Sequence, residues 1–346
     1  MKQRIGIIGL GRMGITHFSI INSHPEIEVV AIAEPASLIL NMIRKYFKHI
    51  KAYENYTDFF VNECPDAILV TTPPSLHHAI ALKAAEKNIH VFCEKPFTLD
   101  KNHAIELAGI FEKKMLVNQV GYVNRFNEVF RTVKTYVQDG VIGDIIRFKS
   151  EMYSRTITKT EESKTWRDSH ENGGGALFEI GSHAIDLVNY IIGKPDRITG
   201  SSLTRIHSKR VEDAVIATFL YRNNISGTLN VNWSEESFRK PVNKLEIFGE
   251  KGKIIADQHG FKLFLNRSRT EINFQSGWNS FSITDVFKPV PFYVRGNEFT
   301  AQLYHFIDCI LHSNISNICT FRDAAHTQDI IDKIFTDYNL NGTFQS

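Results

Sequence analysis

The sequence is poor in cysteine, and its few cysteines are not arranged as a metal site or a disulfide framework. Its 346 residues include 4 cysteines, and no two of them have Cys-x-x-Cys spacing. We therefore expect buried thiols in a reducing compartment, with no disulfide and no bound metal. The cysteines are Cys64, Cys93, Cys309 and Cys319.

Long apolar runs, internal repeats and an excess of charge are also missing. No apolar run approaches the length of about 20 residues that spans a bilayer. The apolar stretch after Lys2 and Arg4 is interrupted by glycines and by Arg12, which is typical of a strand, turn and helix and not of a signal peptide. The 40 basic and 38 acidic residues give a net charge of +2, so neither nucleic acid nor an anionic membrane is an expected partner. We expect a cytoplasmic protein of about two domains.

The most informative motif is a glycine triplet near the start of the chain. An apolar strand at 5–8 leads into Gly9-x-Gly11-x-x-Gly14, and a helical pattern follows. Gly9 would allow the tight turn, Gly11 the close approach of a pyrophosphate, and Gly14 the packing of the helix on the strand. Free N–H groups at the start of the helix would face the phosphates. The residues expected to contact a dinucleotide here are Gly9, Gly11, Arg12, Met13 and Gly14.

A carboxylate follows the glycines at the distance that a dinucleotide site requires. The strand at 27–33 ends at Glu34, twenty residues after Gly14. Its carboxylate can accept hydrogen bonds from both ribose hydroxyls and would repel a 2′-phosphate. This predicts NAD as the cofactor, although Arg12 or a residue after Pro35 could admit NADP. A glycine-rich turn beside a surface glutamate is the alternative.

Strands and helices alternate in the first third, which predicts a doubly wound parallel sheet, a Rossmann domain over residues 1–122. The further predicted strands are 67–71, 90–93 and 116–122. The predicted helices are 13–23, a stretch after Pro35 with Leu38, Met42 and Ile43 on one face, 76–87, and 100–114 with its cap near Thr98 or Asp100.

The rest of the chain, 123–346, is predicted to be an α+β domain with a mostly antiparallel sheet. An exposed face of this sheet would be the interface of a dimer or tetramer, and helices over both faces are the alternative. The predicted helices are 127–139, 180–192, 298–313 and 322–338. The predicted strands are 145–153, 198–205, 214–221, 225–233, 245–249 and shorter ones within 253–274, with turns at 223–224 and 250–252 and a polar, irregular segment at 154–172.

Four further segments carry polar side chains at strand ends or at the start of a helix. They are Thr72-Pro73 with His77, Glu94-Lys95-Pro96, the stretch from Tyr122 to Arg125, and Gly173-Gly174-Gly175-Ala176-Leu177-Phe178-Glu179-Ile180-Gly181-Ser182-His183-Ala184-Ile185-Asp186. Together with the glycine turn, these motifs resemble the Gfo/Idh/MocA family of oxidoreductases, which includes glucose–fructose oxidoreductase and inositol dehydrogenase. The resemblance covers nearly the whole chain in the right order.

The resemblance implies roles for individual residues. Lys95 would be catalytic, and His183 would contact the reacting hydroxyl. The carboxylate four residues before the histidine would support it. That residue is usually Asp in the family and is Glu179 here, one methylene longer. Trp166 and Arg167 match a family segment near the sugar site, with a packing tryptophan as the alternative.

The chemistry of these residue types agrees with the resemblance. Oxidation of a secondary alcohol needs a hydride acceptor and a proton acceptor. A lysine beside a positively charged nicotinamide would have a lowered pKa and could accept that proton, whereas a facing Glu94 would oppose the shift. Glu179, His183 and Asp186 lie on one side of a helix, at spacings of four and three. The alternatives are a solvated Lys95, a core histidine bonded to Asp186 and, for this triplet, a metal site.

The remaining candidates line the expected cofactor channel and substrate site. Thr72, Pro73 and His77 would shape the nicotinamide–ribose channel, or else form a turn with a surface histidine. Glu94 and Lys95 are also expected to contact the cofactor. Tyr122 and Arg125 would reach the substrate, with an interdomain salt bridge as the alternative for Arg125. We thus predict an NAD(P)-dependent oxidoreductase acting on a secondary alcohol of a sugar, cyclitol or sugar nucleotide. An NAD-dependent glycosidase and a non-catalytic dinucleotide-binding regulator are the alternatives.

Overall fold

The computed structural model describes residues 2–159, 166–268 and 274–341, which form two compact units. One contains the described residues up to Val123 together with Val290–Ala325. The other contains the described residues of Asn124–Pro289 and those from His326 onward. The segment Val290–Ala325 thus lies with the first unit, although it follows the whole second sheet in sequence.

The first unit is built on a parallel sheet, as predicted. Its strands are β1 (Gln3–Ile8), β2 (Ile27–Ala33), β3 (Lys51–Tyr53), β4 (Ala67–Val70), β5 (His90–Cys93) and β6 (Asn118–Val120). Their order is β3-β2-β1-β4-β5-β6, and every pair is parallel. The carboxyl ends of all these strands therefore lie at one edge, and the strand order reverses between β1 and β4, where open α/β sheets bind ligands.

Helices pack around this sheet and bury its apolar strands. They are α1 (Arg12–Ile21), α2 (Ser37–Tyr46), α3 (Tyr56–Asn62), α4 (His77–Glu86), α5 (Lys101–Lys113) and, from later in the chain, α9 (Asn297–Leu311). Leu303, Phe306 and Ile307 of α9 belong to the same buried cluster as Ile5 and Ile7 of β1. The burial of each such side chain stabilises the folded state by about 1.5–3 kcal/mol. These residues of α9 therefore contribute to the stability of the first unit.

In the first unit, the buried side of α2 differs from the apolar face that the sequence shows, and the prediction of buried thiols was wrong for one cysteine. In α2 the buried residues are Leu40 and Ile43, whereas Leu38 and Met42 are exposed. Apolar residues occur on several sides of this helix, so residue type alone did not identify the buried side. Cys64 is exposed, in contrast to the other three cysteines.

The second unit has a mostly antiparallel sheet, also as predicted. Its strands are β7 (Ile145–Tyr153), β8 (Arg197–Thr204), β9 (Ala214–Leu220), β10 (Ser226–Asn232), β11 (Val242–Gly249), β12 (Gly252–Asp257), β13 (Gly260–Leu265) and β14 (Gly277–Ser282). They are ordered β14-β13-β12-β11-β7-β10-β9-β8. Among the described strands, β7 and β10 are parallel and the other neighbours are antiparallel.

Alternate residues of this sheet are buried, and the residues between them are half-buried or exposed. Ile216, for example, is exposed although it lies within β9. The described residues thus cover one face of the sheet more completely than the other. Whether the second face forms an oligomer interface stays a prediction.

The remaining helices are α6 (Glu128–Gln138), α7 (Ser182–Ile191), α8 (Ile283–Val286) and the closing α10 (Phe321–Asn341). The short elements β3, α3, β14 and α8 were not predicted. Parts of the predicted segments 154–172 and 253–274, namely 160–165 and 269–273, lie outside the described residues. None of the helices in the described ranges is both long and apolar enough to cross a membrane.

Candidate active site

The glycine triplet forms a close contact between β1, α1 and the end of β4. Gly9 has φ +95°, and a Cβ on it would lie 2.9 Å from the carbonyl of Thr71. A Cβ on Gly14 would lie 2.2 Å from the oxygen of Gly9. By contrast, a Cβ on Gly11 would have no atom within 4 Å. Gly9 and Gly14 therefore hold the turn together, and Gly11 leaves open space beside the first N–H groups of α1.

Glu34 is held against this turn at the end of β2. It is buried, and its Oε2 accepts a hydrogen bond from the N–H of Leu10 at 2.5 Å. Its Oε1 accepts a hydrogen bond from the N–H of Ala36 at 2.9 Å. Each carboxylate oxygen has a second lone pair that can accept a hydrogen bond from a ribose hydroxyl. The carboxylate therefore has the position and the acceptor capacity that were predicted for it.

The loop after β4 also has an unsatisfied polar atom. The Oγ1 of Thr72 is buried and has no hydrogen-bond partner among the described residues. A buried hydroxyl without a partner costs about 1–3 kcal/mol, which a bound polar group can offset. The neighbouring Pro73 is exposed. With the open space at Gly11 and the carboxylate of Glu34, this hydroxyl fits a dinucleotide along the carboxyl edge of the sheet.

His77 joins the loops that follow β4 and β5. It is completely buried, so the alternative of a surface histidine was wrong. Its Nε2 lies 2.9 Å from the oxygen of Thr72, and its Nδ1 lies 3.0 Å from the oxygen of Pro96 and 3.1 Å from that of Phe97. Burial lowers the pKa of His77, although these carbonyls and the charge of Glu94 oppose the shift. His77 thus ties Thr72 to the segment that carries Lys95.

Lys95 follows β5, with Glu94 between them. The side chain of Glu94 is held by His17, a residue that the sequence did not single out. The Oε2 of Glu94 accepts a hydrogen bond from the backbone N–H of Lys95 at 3.1 Å. Its Oε1 lies 2.6 Å from the Nε2 of His17 in α1. Burial alone would raise the pKa of Glu94, but the hydrogen bond and charge of His17 and the charge of Lys95 hold that pKa below its ordinary value. The available signal was that His17 comes three residues after Gly14, on the buried side of α1.

In the second unit, a buried carboxylate anchors the run of glycines before α7. The Oε1 of Glu212 accepts a hydrogen bond from the N–H of Leu177 at 2.8 Å, and its Oε2 lies 2.6 Å from the Nε2 of His170. Gly175 has φ +101°, and a Cβ on it would lie 2.5 Å from that carboxylate. Glu212 is another residue that sequence reasoning missed, because its partners lie 35 and 42 positions away.

The predicted helix begins as a π-helical turn, Leu177–Gly181, which continues into α7. Within residues 173–188, every residue is buried except Glu179 and His183, which are half-buried. The Oε2 of Glu179 accepts a hydrogen bond from the Nε of Arg167 at 2.7 Å. The carbonyl of His183 lies 3.4 Å from the Nδ2 of Asn243 in β11. The structure thus places Glu179 and His183 on the accessible side of this segment, with Arg167 beside the carboxylate.

Asp186 lies on the buried side, so the prediction that it shares one polar face with Glu179 and His183 was wrong. Its carboxylate receives hydrogen bonds from Arg125, from Nε at 2.9 Å to Oδ2 and from Nη2 at 2.7 Å to Oδ1. Both side chains are buried. The two residues belong to one unit, so this ion pair lies within the second unit.

The other substrate candidates are placed as follows. Tyr122 is buried in the first unit, and its N–H donates to the oxygen of Val120 at 2.8 Å. The backbone of Trp166 begins a short 3₁₀ turn, Trp166–Asp168, and its side chain lies outside the described part of the structure. Within that described part, no three His, Cys, Asp or Glu side chains are grouped so that they could hold a metal ion.

Comparison with known proteins identifies the class that this fold and site define. Residues 3–122 match the oxidoreductase family with an NAD-binding Rossmann fold, and residues 130–255 match the GFO/IDH/MocA C-terminal domain. The protein is therefore an NAD-binding oxidoreductase. The chain belongs to the Gfo/Idh/MocA family.

Individual relatives are distant in sequence and similar in fold. The uncharacterized oxidoreductase YrbE of Bacillus subtilis is 27% identical over 73% of each chain. The myo-inositol 2-dehydrogenase of Thermotoga maritima is 27% identical over 74% of this chain and 75% of its own. The solved structure of a levoglucosan dehydrogenase with NADH and levoglucosan superposes with a TM-score of 0.86, at 20% identity over 98% of both chains. This last likeness shows the fold.

Proposed function

We propose that this protein is an NAD-dependent dehydrogenase that acts on a secondary alcohol of a polyhydroxylated ring, with Lys95 as the acid/base. The observation that carries the proposal is the position of Lys95. It follows β5 at the carboxyl edge of the sheet that also carries the glycine turn and the buried Glu34. A ligand held between the glycine turn and Glu34 lies along that edge.

The reaction needs one group that accepts hydride and another that accepts a proton. A bound NAD supplies the hydride acceptor. The amine of Lys95 takes the proton of the hydroxyl while the C–H electron pair leaves as hydride, and the substrate becomes a carbonyl compound. In the reverse direction Lys95 returns the proton.

His183 is proposed to act on the same hydroxyl from the second unit, with Glu179 as the carboxylate that orients it. They are the two half-buried residues of a segment that is otherwise buried, and imidazole is the side chain that exchanges protons near neutral pH. Glu179 is oriented by its ion pair with Arg167.

The substrate class is inferred from chemistry and from the relatives. One relative is named for myo-inositol, and one solved neighbour holds levoglucosan. Both compounds are rings with several hydroxyls. We infer a sugar, a cyclitol or a sugar nucleotide, with Tyr122, Arg125, Trp166 and Arg167 as the proposed substrate contacts and NADP as a possible second cofactor.

The test is an assay of NAD and NADP reduction with a panel of free sugars, inositols and nucleotide sugars. We expect net formation of NADH with at least one compound. Cleavage of a glycoside without net NADH would identify an NAD-dependent glycosidase instead. Binding of NAD without turnover of any compound would identify a regulator.

Substitution of the lysine tests its assigned role. Lys95→Ala should lower kcat at least about a hundredfold, while NAD binding persists, because the general base is lost and the glycine turn is not. Lys87→Ala is the matched control, because Lys87 is an exposed lysine of the same unit. Near-normal turnover in the Lys95 variant would refute the assignment.

A further inference from the structure

A buried His–Glu pair links the helix after the glycine turn to the residue that precedes Lys95. We propose that His17 is a positioning residue, which holds the carboxylate of Glu94 and thereby sets the proton affinity of the Lys95 amine. This inference rests on the proposed role of Lys95. It assigns a function to His17, which lies outside the glycine motif and has no role in the dinucleotide contacts expected of that motif.

The geometry of the pair is close and enclosed. The Nε2 of His17 lies 2.6 Å from the Oε1 of Glu94, and His17 is completely buried. The imidazole ring meets the ring of Phe92 edge-on, with centroids 5.2 Å apart. On the other side of the carboxylate, a Cβ on Gly121 would lie 3.0 Å from Oε1. These contacts leave the carboxylate little freedom to rotate.

The second oxygen of Glu94 connects the pair to Lys95. It accepts the backbone N–H of Lys95 at 3.1 Å. The charge of Lys95 also helps to lower the pKa of Glu94, so the two side chains interact electrostatically. The carboxylate in turn favours the ammonium form and so raises the pKa of the lysine. A histidine that donates to the same carboxylate, or carries a proton beside it, reduces that influence. The strength with which Glu94 acts on Lys95 therefore depends on His17.

Other ionisable groups face Glu94 and define the background charge. Besides His17 from α1 and Lys95, they are Cys93 at the end of β5, His77 from α4, and Arg295, which precedes α9. Burial raises the pKa of Cys93 and lowers that of His77. Arg295 adds a constant positive charge. His17 is thus the partner of Glu94 whose removal changes the hydrogen bonding of the carboxylate without altering the proposed acid/base.

Three substitutions separate the contact from the charge. His17→Leu removes the hydrogen bond and leaves Glu94 to act on Lys95 alone. His17→Gln keeps a donor at the place of Nε2 without a titratable ring. Glu94→Gln removes the negative charge and leaves a group of the same shape.

The readout is the titration of the Lys95 amine in the NAD-bound protein without substrate. It is measured by NMR with selectively ¹³C-labelled lysine and assigned with Lys95→Arg. We expect His17→Leu to raise the pKa of Lys95 by about one unit or more, and Glu94→Gln to lower it by a similar amount. The low-pH limb of kcat/KM for alcohol oxidation should move in the same directions, because oxidation requires the unprotonated amine. His17→Gln should restore kcat to within about threefold of the unsubstituted protein, since the donor to Glu94 is kept.

A matched control exists in the same unit. His78 pairs with Glu106 at 2.9 Å between α4 and α5, at the protein surface, and His78→Gln should leave both readouts unchanged. Coincident titrations of Lys95 in the unsubstituted protein, His17→Leu and Glu94→Gln would overturn the inference, as would an upward shift in Glu94→Gln. If Lys95→Ala keeps full turnover, the proposed function fails instead, and the NMR titration still reports the effect of His17 and Glu94.

Discussion

At the scale of single residues, we propose that the carboxylate of Glu34 governs the choice of cofactor. Glu34→Gln should narrow the preference for NAD over NADP about tenfold or more, because the repulsion of a 2′-phosphate is lost. The dissociation constants of both cofactors, measured by calorimetry, give this ratio independently of any change in stability. Glu28→Gln is the control, since Glu28 is exposed on the same strand. An unchanged ratio in the Glu34 variant would show that another residue selects the cofactor.

Residues of the site could be predicted where a short motif contains all the parts. Gly9, Gly11, Gly14 and Glu34 follow one spacing, and the structure gives each the local environment expected of it. Glu212 could not be predicted, because its partners are remote in sequence and only the folded chain brings them to its carboxylate. Residue type therefore indicates which chemistry is present, and the long-range contacts decide which groups are held for it.

At the scale of elements, two glycines of the turn between β1 and α1 are expected to have different roles. Gly14 allows the helix to pack, and Gly11 is proposed to allow the cofactor to bind. Gly14→Ala should destabilise the protein, because its Cβ would lie 2.2 Å from the oxygen of Gly9 and α1 would have to move. Gly11→Ala should leave the midpoint of thermal unfolding nearly unchanged and weaken NAD binding at least about tenfold, because the methyl group would occupy the open space that we propose for the pyrophosphate. Differential scanning calorimetry and NAD titration of both variants test this. Unaltered NAD affinity in Gly11→Ala would contradict the placement of the pyrophosphate.

The longer elements were predictable because their periodicity is strong. The strand Ile27–Ala33 has the bounds that were expected, and α5 begins after Asp100, whose side chain caps it by accepting the N–H of Asn102. The strand β3 is only 3 residues long and shows no usable alternation. The predicted helix 180–192 overlaps only the end of the π-helical turn Leu177–Gly181. The earlier start and the π form were not predicted, and Glu212 holds the chain there at Leu177.

At the scale of the whole molecule, the order of elements along the chain is not the order in which they pack. The helix α9 follows the second sheet in sequence, yet its apolar side chains complete the core of the first unit. The alternation of strands and helices ends near Tyr122, which predicts a domain boundary there. The later return of the chain to the first unit leaves no local signal in the sequence, and the burial of Leu303, Phe306 and Ile307 in the folded structure reveals that return.

The central claim is that Lys95 and His183 act on one hydroxyl beside the nicotinamide. The most direct measurement is a crystal structure of the protein with NADH and an alcohol that the assay identifies as a substrate. The account predicts that the Nζ of Lys95 and the imidazole of His183 both lie within about 3.5 Å of the reacting oxygen, directly or through one water. A nicotinamide ring and reacting carbon that lie more than roughly 7 Å from both groups would contradict the account, since neither group could then transfer the proton.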